Sequence, residues 1–284
     1  MGEIMKNIFA FCNQKGGVGK TTSVVNISAV LAQECQRVLV IDMDAQANAT
    51  SGFGEEKPGI EFTTYQLLVE NDQPQKVIKK TAIQNLDLIP SNTDLSGVEL
   101  DLISRQRREY ILKEKVSLIS ADYDYIFIDC PPSLGLTTIN ALCASDYLII
   151  PMQCEYYALE GLSHLLGTFQ LVQKNLNPSL EIGGVILTMA DFRTNLTQQV
   201  IEEVKNFFKN KVFDTVIPRS VRLSEAPSFG KPAVIYDPLA KGSKCYQAIA
   251  RDFMKRFGSK MELKEPKTPA CDQEKSRQKE EIKI

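Results

Sequence analysis

Gln14-Lys15-Gly16-Gly17-Val18-Gly19-Lys20-Thr21-Thr22 decides how this chain is read. The segment follows a short apolar run, Asn7–Asn13, that reads as a first strand. It opens a helical pattern, Lys20–Gln33, in which Val24, Ile27, Val30 and Leu31 fall on one stripe. A glycine-rich turn between a strand and a helix is the setting of a phosphate-binding loop. Glycine lets the backbone turn tightly and aim its N–H groups at phosphate oxygens. The helix start adds unpaired donors and the positive end of the helix dipole. Lys20 is placed to reach the β- and γ-phosphates, Thr21 to offer its hydroxyl to Mg2+, and Thr22 to bond the α-phosphate. With Gly16, Gly17, Val18 and Gly19 they form the candidate nucleotide cradle. A turn of no chemical role has no need of two lysines and two threonines in this order.

Outward from the loop, apolar runs alternate with helical patterns. Besides Asn7–Asn13, the expected strands are Arg37–Asp42, Leu86–Pro90, Asp124–Cys130, Tyr147–Met152, Gly183–Met189 and Val212–Ile217. Most are rich in Val, Ile, Leu and Phe without polar alternation, which suits strands covered on both faces. Helical spacing runs through Leu95–Ser120, Leu159–Asn175, Asn195–Lys209 and Cys245–Phe257. The alternation predicts an α/β fold, a three-layer α/β/α P-loop domain on a mostly parallel twisted sheet, spanning residues 1–258.

Two of these strands end in carboxylates. Arg37-Val38-Leu39-Val40-Ile41-Asp42-Met43-Asp44 brings Asp42 and Asp44 to the carboxyl end of a parallel strand, where ligand crevices lie. A period of two puts both on one side if the strand continues. Tyr125-Ile126-Phe127-Ile128-Asp129 ends in a carboxylate suited to hold Mg2+ through water. Pro131 and Pro132 then stiffen the following loop by fixing φ. Cys130 reads as a small buried residue rather than a redox ligand.

The loop departs from the GxxxxGK[ST] pattern, since Gln14 stands where the first glycine belongs and Lys15 is added. In this it resembles the deviant Walker A pattern KGGxGK[ST] of ParA, Soj, MinD and the nitrogenase iron protein. The segments Asp44-Ala45-Gln46-Ala47-Asn48-Ala49-Thr50-Ser51-Gly52 and Ile128-Asp129-Cys130-Pro131-Pro132-Ser133-Leu134-Gly135 are similar to chromosomal ParA/Soj proteins. So are residues 153–161, QCEYYALEG, and 217–230, IPRSVRLSEAPSFG, which are more specific than any P-loop. The likeness covers roughly residues 5–257.

The resemblance implies an ATP-dependent switch ATPase that uses Mg2+ and closes as a homodimer when ATP is bound. It implies nonspecific binding of double-stranded DNA, a ParB/Spo0J-like centromere-binding partner and a cytoplasmic, nucleoid-associated location. By the same resemblance Lys15 crosses the dimer interface to the other subunit's nucleotide, as an arginine finger does. It makes Lys15, Lys20 and Asp44 the catalytic set, with Asp44 on the attacking water and Asp42 behind it or on the Mg2+ side. It makes Thr21, Asp44 and Asp129 the metal set, places Pro218 beside the adenine, and assigns DNA contact to Arg193, Arg219 and Arg222. Lys241, Lys244, Arg251 and Lys255 would widen that patch. The chain departs from Soj-like proteins at Ala45 and Ala47, where Pro and Gly are usual, and at Ser220, where Asn is usual. Only about six residues precede the first strand, so the operator-reading domain of longer plasmid-type relatives is not expected.

Composition bounds the alternatives. The 284 residues carry a net charge of -2, 43% hydrophobic and 24% charged, ordinary for a globular domain and not suggestive of DNA binding by bulk charge. Seven cysteines without a CxxC pair argue against a zinc or iron-sulfur site held within one chain, and the single His164 against a multi-histidine metal site. Residues 259–284 hold seven basic and six acidic residues and read as a solvated, disordered tail. If that tail were a membrane-binding helix, a MinD-like membrane-cycling ATPase would be the alternative. No membrane partner is expected, because Met261, Leu263, Ile282 and Ile284 do not form a continuous apolar stripe.

Overall fold

The computed structural model describes residues 7–56, 59–155 and 160–258. The tail 259–284 and Leu159, at the head of one expected helix, lie outside the described residues.

Seven strands form one sheet: β1 (Ile8–Phe11), β2 (Val38–Asp42), β3 (Lys79–Lys80), β4 (Leu86–Ile89), β5 (Tyr125–Asp129), β6 (Tyr147–Gln153) and β7 (Glu181–Thr188). Their order is β3-β4-β2-β5-β1-β6-β7. All pairings are parallel except β3 with β4. The longer helices are α1 (Lys20–Gln33), α2 (Ile111–Ser117), α3 (Leu136–Ala144), α4 (Glu160–Asn175), α5 (Asn195–Phe208) and α6 (Lys241–Phe257).

The strands are buried on both faces, as their unbroken apolar runs require. Side chains alternate between two cores. Phe9, Phe11, Val40 and Phe127 meet α1 and α6 through Val24, Ile27, Leu31, Ile249 and Phe253. Ala10, Ile41, Ile126 and Ile128 face α2 to α5 through Leu112, Leu142, Leu165 and Val204. Helix α1 is sandwiched between the sheet and α6, so its buried surface extends well past the expected stripe to Ser23 and Ser28. The Ser23 hydroxyl meets the Tyr246 hydroxyl at 3.1 Å, which lets both polar groups be buried.

Two expectations fail. Val212–Ile217 is not a strand: only Val212 and Pro218 make isolated parallel bridges, to Val185 and Ala190. The chain bends at Asp214 between them, so the ladder along β7 is interrupted. Leu95–Ser120 is not one helix. It breaks into the short turns Thr93–Gly97, Val98–Asp101 and Arg108–Tyr110 before α2. Arg107 sits at φ 55, a left-handed conformation that no α-helix continues through. The edge strand β3 carried no apolar signal. Its two lysines give the sheet a charged edge, a standard guard against edge-to-edge pairing.

Candidate active site

β1, β2 and β5 deliver their carboxyl ends side by side, with Phe11 opposite Asp129 and Asp42 opposite Asp129 in register. The turn from β1 to α1 rises over this edge. Gly17 and Gly19 adopt φ 71 and 86, where an L side chain is strained. Gly19 caps α1, with no side-chain hydrogen bond at the cap and no acidic residue in the first turn. The helix thus presents its first donors to an incoming anion.

The lysines of the loop part ways. Lys20 is buried, its Nζ donating to the Lys15 carbonyl at 3.4 Å. Lys15 points outward, its side chain 45% exposed, and its Nζ pairs with Glu155 at 2.7 Å. Glu155 also holds Arg219 at 3.2 Å. An exposed carboxylate has no sequence signature, and Glu155 was not foreseen as a site residue. Gln153 and Thr188 were missed as well: their side chains donate to the Gly17 and Val18 carbonyls at 3.0 and 2.8 Å and brace the loop.

The Thr21 hydroxyl donates to Asp129 Oδ2 at 2.7 Å. Asp129 Oδ1, among the described residues, is the buried side-chain oxygen left without a partner. Burial, then the neighbouring Asp42, raises the Asp129 carboxyl well above the usual carboxylate range. A buried oxygen with an unspent lone pair beside a hydroxyl fits a hard divalent cation, which takes oxygen ligands and reverses the cost of the buried charge.

Asp42 and Asp44 occupy different surroundings, because β2 stops at Asp42. Asp42 is fully buried and accepts from Thr50 N at 2.9 Å, Thr50 Oγ1 at 2.7 Å and Asp44 N at 3.1 Å. Its oxygens are committed to the 44–50 loop, in keeping with a place behind Asp44. Burial pushes its pKa up to about 6. Asp44 instead lines a cavity of about 440 Å³ with Gly16, Lys20, Thr21 and Pro132. Ala47, between Asp44 and Thr50, sits at φ 52, where the glycine usual in similar sequences would fit without strain.

A second cavity, about 480 Å³, adjoins the first at Gly19 and Thr22. Pro218, Ser220 and Leu223 line it with Thr188 and Tyr246. Of the arginines singled out for DNA contact, Arg193 and Arg219 lie on loops and Arg222 on the short helix Val221–Glu225, and each is matched by an acid. Arg193 grips Asp191 at 2.6 Å, and Arg222 pairs with Glu225 at 2.9 Å and Asp237 at 3.3 Å. Through its hydrogen bonds Arg193 lowers Asp191 to about 2. His164 lies exposed on α4, away from this constellation of contacts.

Known proteins resemble this chain in sequence and in fold. A family model described as an AAA domain matches residues 5–182. The sporulation initiation inhibitor protein Soj of Bacillus subtilis (strain 168) is 56% identical over 248 residues, 87% of this chain and 98% of its own. The chromosome partitioning protein ParA of Myxococcus xanthus (strain DK1622) is 50% identical over 250 residues, 88% of each chain. The chain belongs to the ParA/Soj family of chromosome-partitioning ATPases. The ParA/Soj architecture extends to a solved cobyrinic acid a,c-diamide synthase from Mycobacterium smegmatis, bound to an ATP analogue and magnesium. That structure is 33% identical, with a TM-score of 0.81, covering 90% of this chain and 96% of its own. Among the described residues of this ParA/Soj member, no helix is long and apolar enough to cross a membrane.

Proposed function

We propose that the chain is an ATP-driven dimerising switch that holds DNA without sequence preference and partitions it with a ParB-like partner. The observation that carries the reading is the division of labour between the two loop lysines, Lys20 buried in the cradle and Lys15 exposed beyond it. A cation that faces away from its own cradle is placed to complete another subunit's. Lys20 and the N–H groups at Gly16 to Thr22 bind the triphosphate, and the Pro218 cavity takes the base. Thr21 and Asp129 would hold magnesium, which when bound would neutralise charge building on the phosphate oxygens. Asp44 orients a water in line with the γ-phosphate; the water bonds to phosphorus as the bond to ADP breaks. In the single chain Glu155 keeps Lys15, and closure of two subunits transfers Lys15 to the facing nucleotide.

Arg193, Arg219 and Arg222 then form the phosphate-directed DNA surface. Two copies side by side strengthen it without any new contact. The test is retention of nonspecific duplex DNA by purified protein with ATP or ADP, alongside its oligomeric state. ATP with magnesium should give a dimer that holds DNA, ADP a monomer that does not, and Lys15→Ala should abolish both effects. Equal DNA retention under all conditions would remove the switch.

A further inference from the structure

We propose that Cys12 and Cys130 are an oxidation site, forming a reversible intrachain disulfide beneath the phosphate loop. Their sulfurs stand 3.0 Å apart. Each residue is 1% exposed. They directly follow the register pair Phe11 and Asp129, on neighbouring parallel strands. Cys130 N donates to the Phe11 carbonyl at 3.3 Å, and Cys12 N to the Ile149 carbonyl at 3.1 Å, so the sheet fixes both backbones. A disulfide bond is about 2.05 Å long, so the sulfurs must close by roughly 1 Å. Side-chain rotation supplies a movement of that size while the strands stay in place.

The chemistry needs a small oxidant, and hydrogen peroxide is the class that fits a site of this burial. One thiol sulfur bonds to a peroxide oxygen, the O–O bond breaks, and a sulfenic acid and one water result. The second thiol sulfur then bonds to the sulfenic sulfur, and the displaced hydroxyl leaves as water with that thiol's proton. Two thiols and one peroxide thus become one disulfide and two waters.

The bond would join the two limbs of the phosphate site. Cys12 precedes Asn13, whose side chain accepts from Lys15 N at 3.0 Å and donates to the Pro151 carbonyl at 2.8 Å. Cys130 leads into Pro131 and Pro132, and a Cβ on Gly16 would lie 4.0 Å from Pro132. Tied together, the limbs lose independent movement, and the expected slowing of hydrolysis is roughly tenfold. This consequence rests on the ATPase reading above, whereas the disulfide itself does not.

The experiment treats the purified full chain with hydrogen peroxide, alkylates it under denaturing conditions and maps its peptides by mass spectrometry. The expected result is a Cys12–Cys130 linked peptide pair that dithiothreitol returns to thiols. Hydrolysis should fall about tenfold with the link and recover on reduction. In Cys12→Ala the linked pair should vanish and peroxide should leave the remaining rate unaffected. Full alkylation of Cys12 and Cys130 after peroxide has consumed the exposed Cys35 overturns the proposal. A complete disulfide with an unchanged rate overturns its effect on hydrolysis. Absence of ATPase activity in the untreated chain would count against the proposed function and leave the peptide result standing.

Discussion

Asp42 shows how one carboxylate can shape a site without facing its ligand. It spends both oxygens on Thr50 and the Asp44 amide, and so fixes both ends of the loop that carries Asp44. Burial raises its pKa to about 6, above the range of an unfolded chain. Between the ordinary carboxylate range and about pH 6, the native protein therefore binds a proton that the unfolded chain has lost. Stability contributed by that proton is present at low pH and is lost as pH rises through the window. Asp42→Asn should flatten this part of the stability–pH curve in nucleotide-free protein, and it also removes one of the charges that raise Asp129. It should also cost about 1–3 kcal/mol where Thr50 loses an acceptor. Urea denaturation at several pH values reads both effects. At this scale the sequence pointed to Thr21 and Asp129 as neighbours, and their side chains do meet at 2.7 Å. It was silent on Glu155 and Gln153, whose importance depends on which distant backbone they meet.

The phosphate loop, as an element, depends on conformation more than on space. A Cβ on Gly17 would meet nothing within 4 Å, yet its φ of 71 penalises any L side chain. At Gly16 the backbone carries no positive φ, and a Cβ would only reach ordinary contact with Pro132 at 4.0 Å. Gly17→Ala should therefore destabilise the nucleotide-free protein by about 1–2 kcal/mol through the backbone alone. Gly16→Ala should stay within about 0.5 kcal/mol. Equal denaturation midpoints for the two variants would contradict this account. The same reasoning explains which elements were legible. Helix α1 and the buried strands carry long apolar runs that admit few other structures. The 95–120 stretch had apolar residues at helical intervals, but spacing does not register a left-handed residue such as Arg107. The Val212–Ile217 run had strand composition, yet β composition does not ensure a continuous ladder once the chain bends at Asp214.

On the scale of the whole molecule, one sheet separates two cores of different character. The face toward α1 and α6 is aromatic. Phe253 lies 4.7 Å from Phe9, 5.2 Å from Phe127 and 6.0 Å from Phe213 between ring centroids, and is fully buried. Phe253→Ala should cost about 3–5 kcal/mol, because the rigid strands beneath it cannot collapse into the space left behind. A loss below about 1 kcal/mol in denaturant unfolding would mean that α6 is a loosely held cover rather than a wall of the core. The layered class was legible at this scale because strand and helix patterns alternate along nearly the whole chain. The strand order was not, since it depends on which runs meet in space. The aromatic core also joins the first strand to the last described helix, Phe9 meeting both Phe253 and Phe257 edge to face. During synthesis, β1 and α1 must therefore wait with an oily face bare until the ribosome has released α6. Over that interval, chaperones guarding the nascent chain have a defined surface to shield.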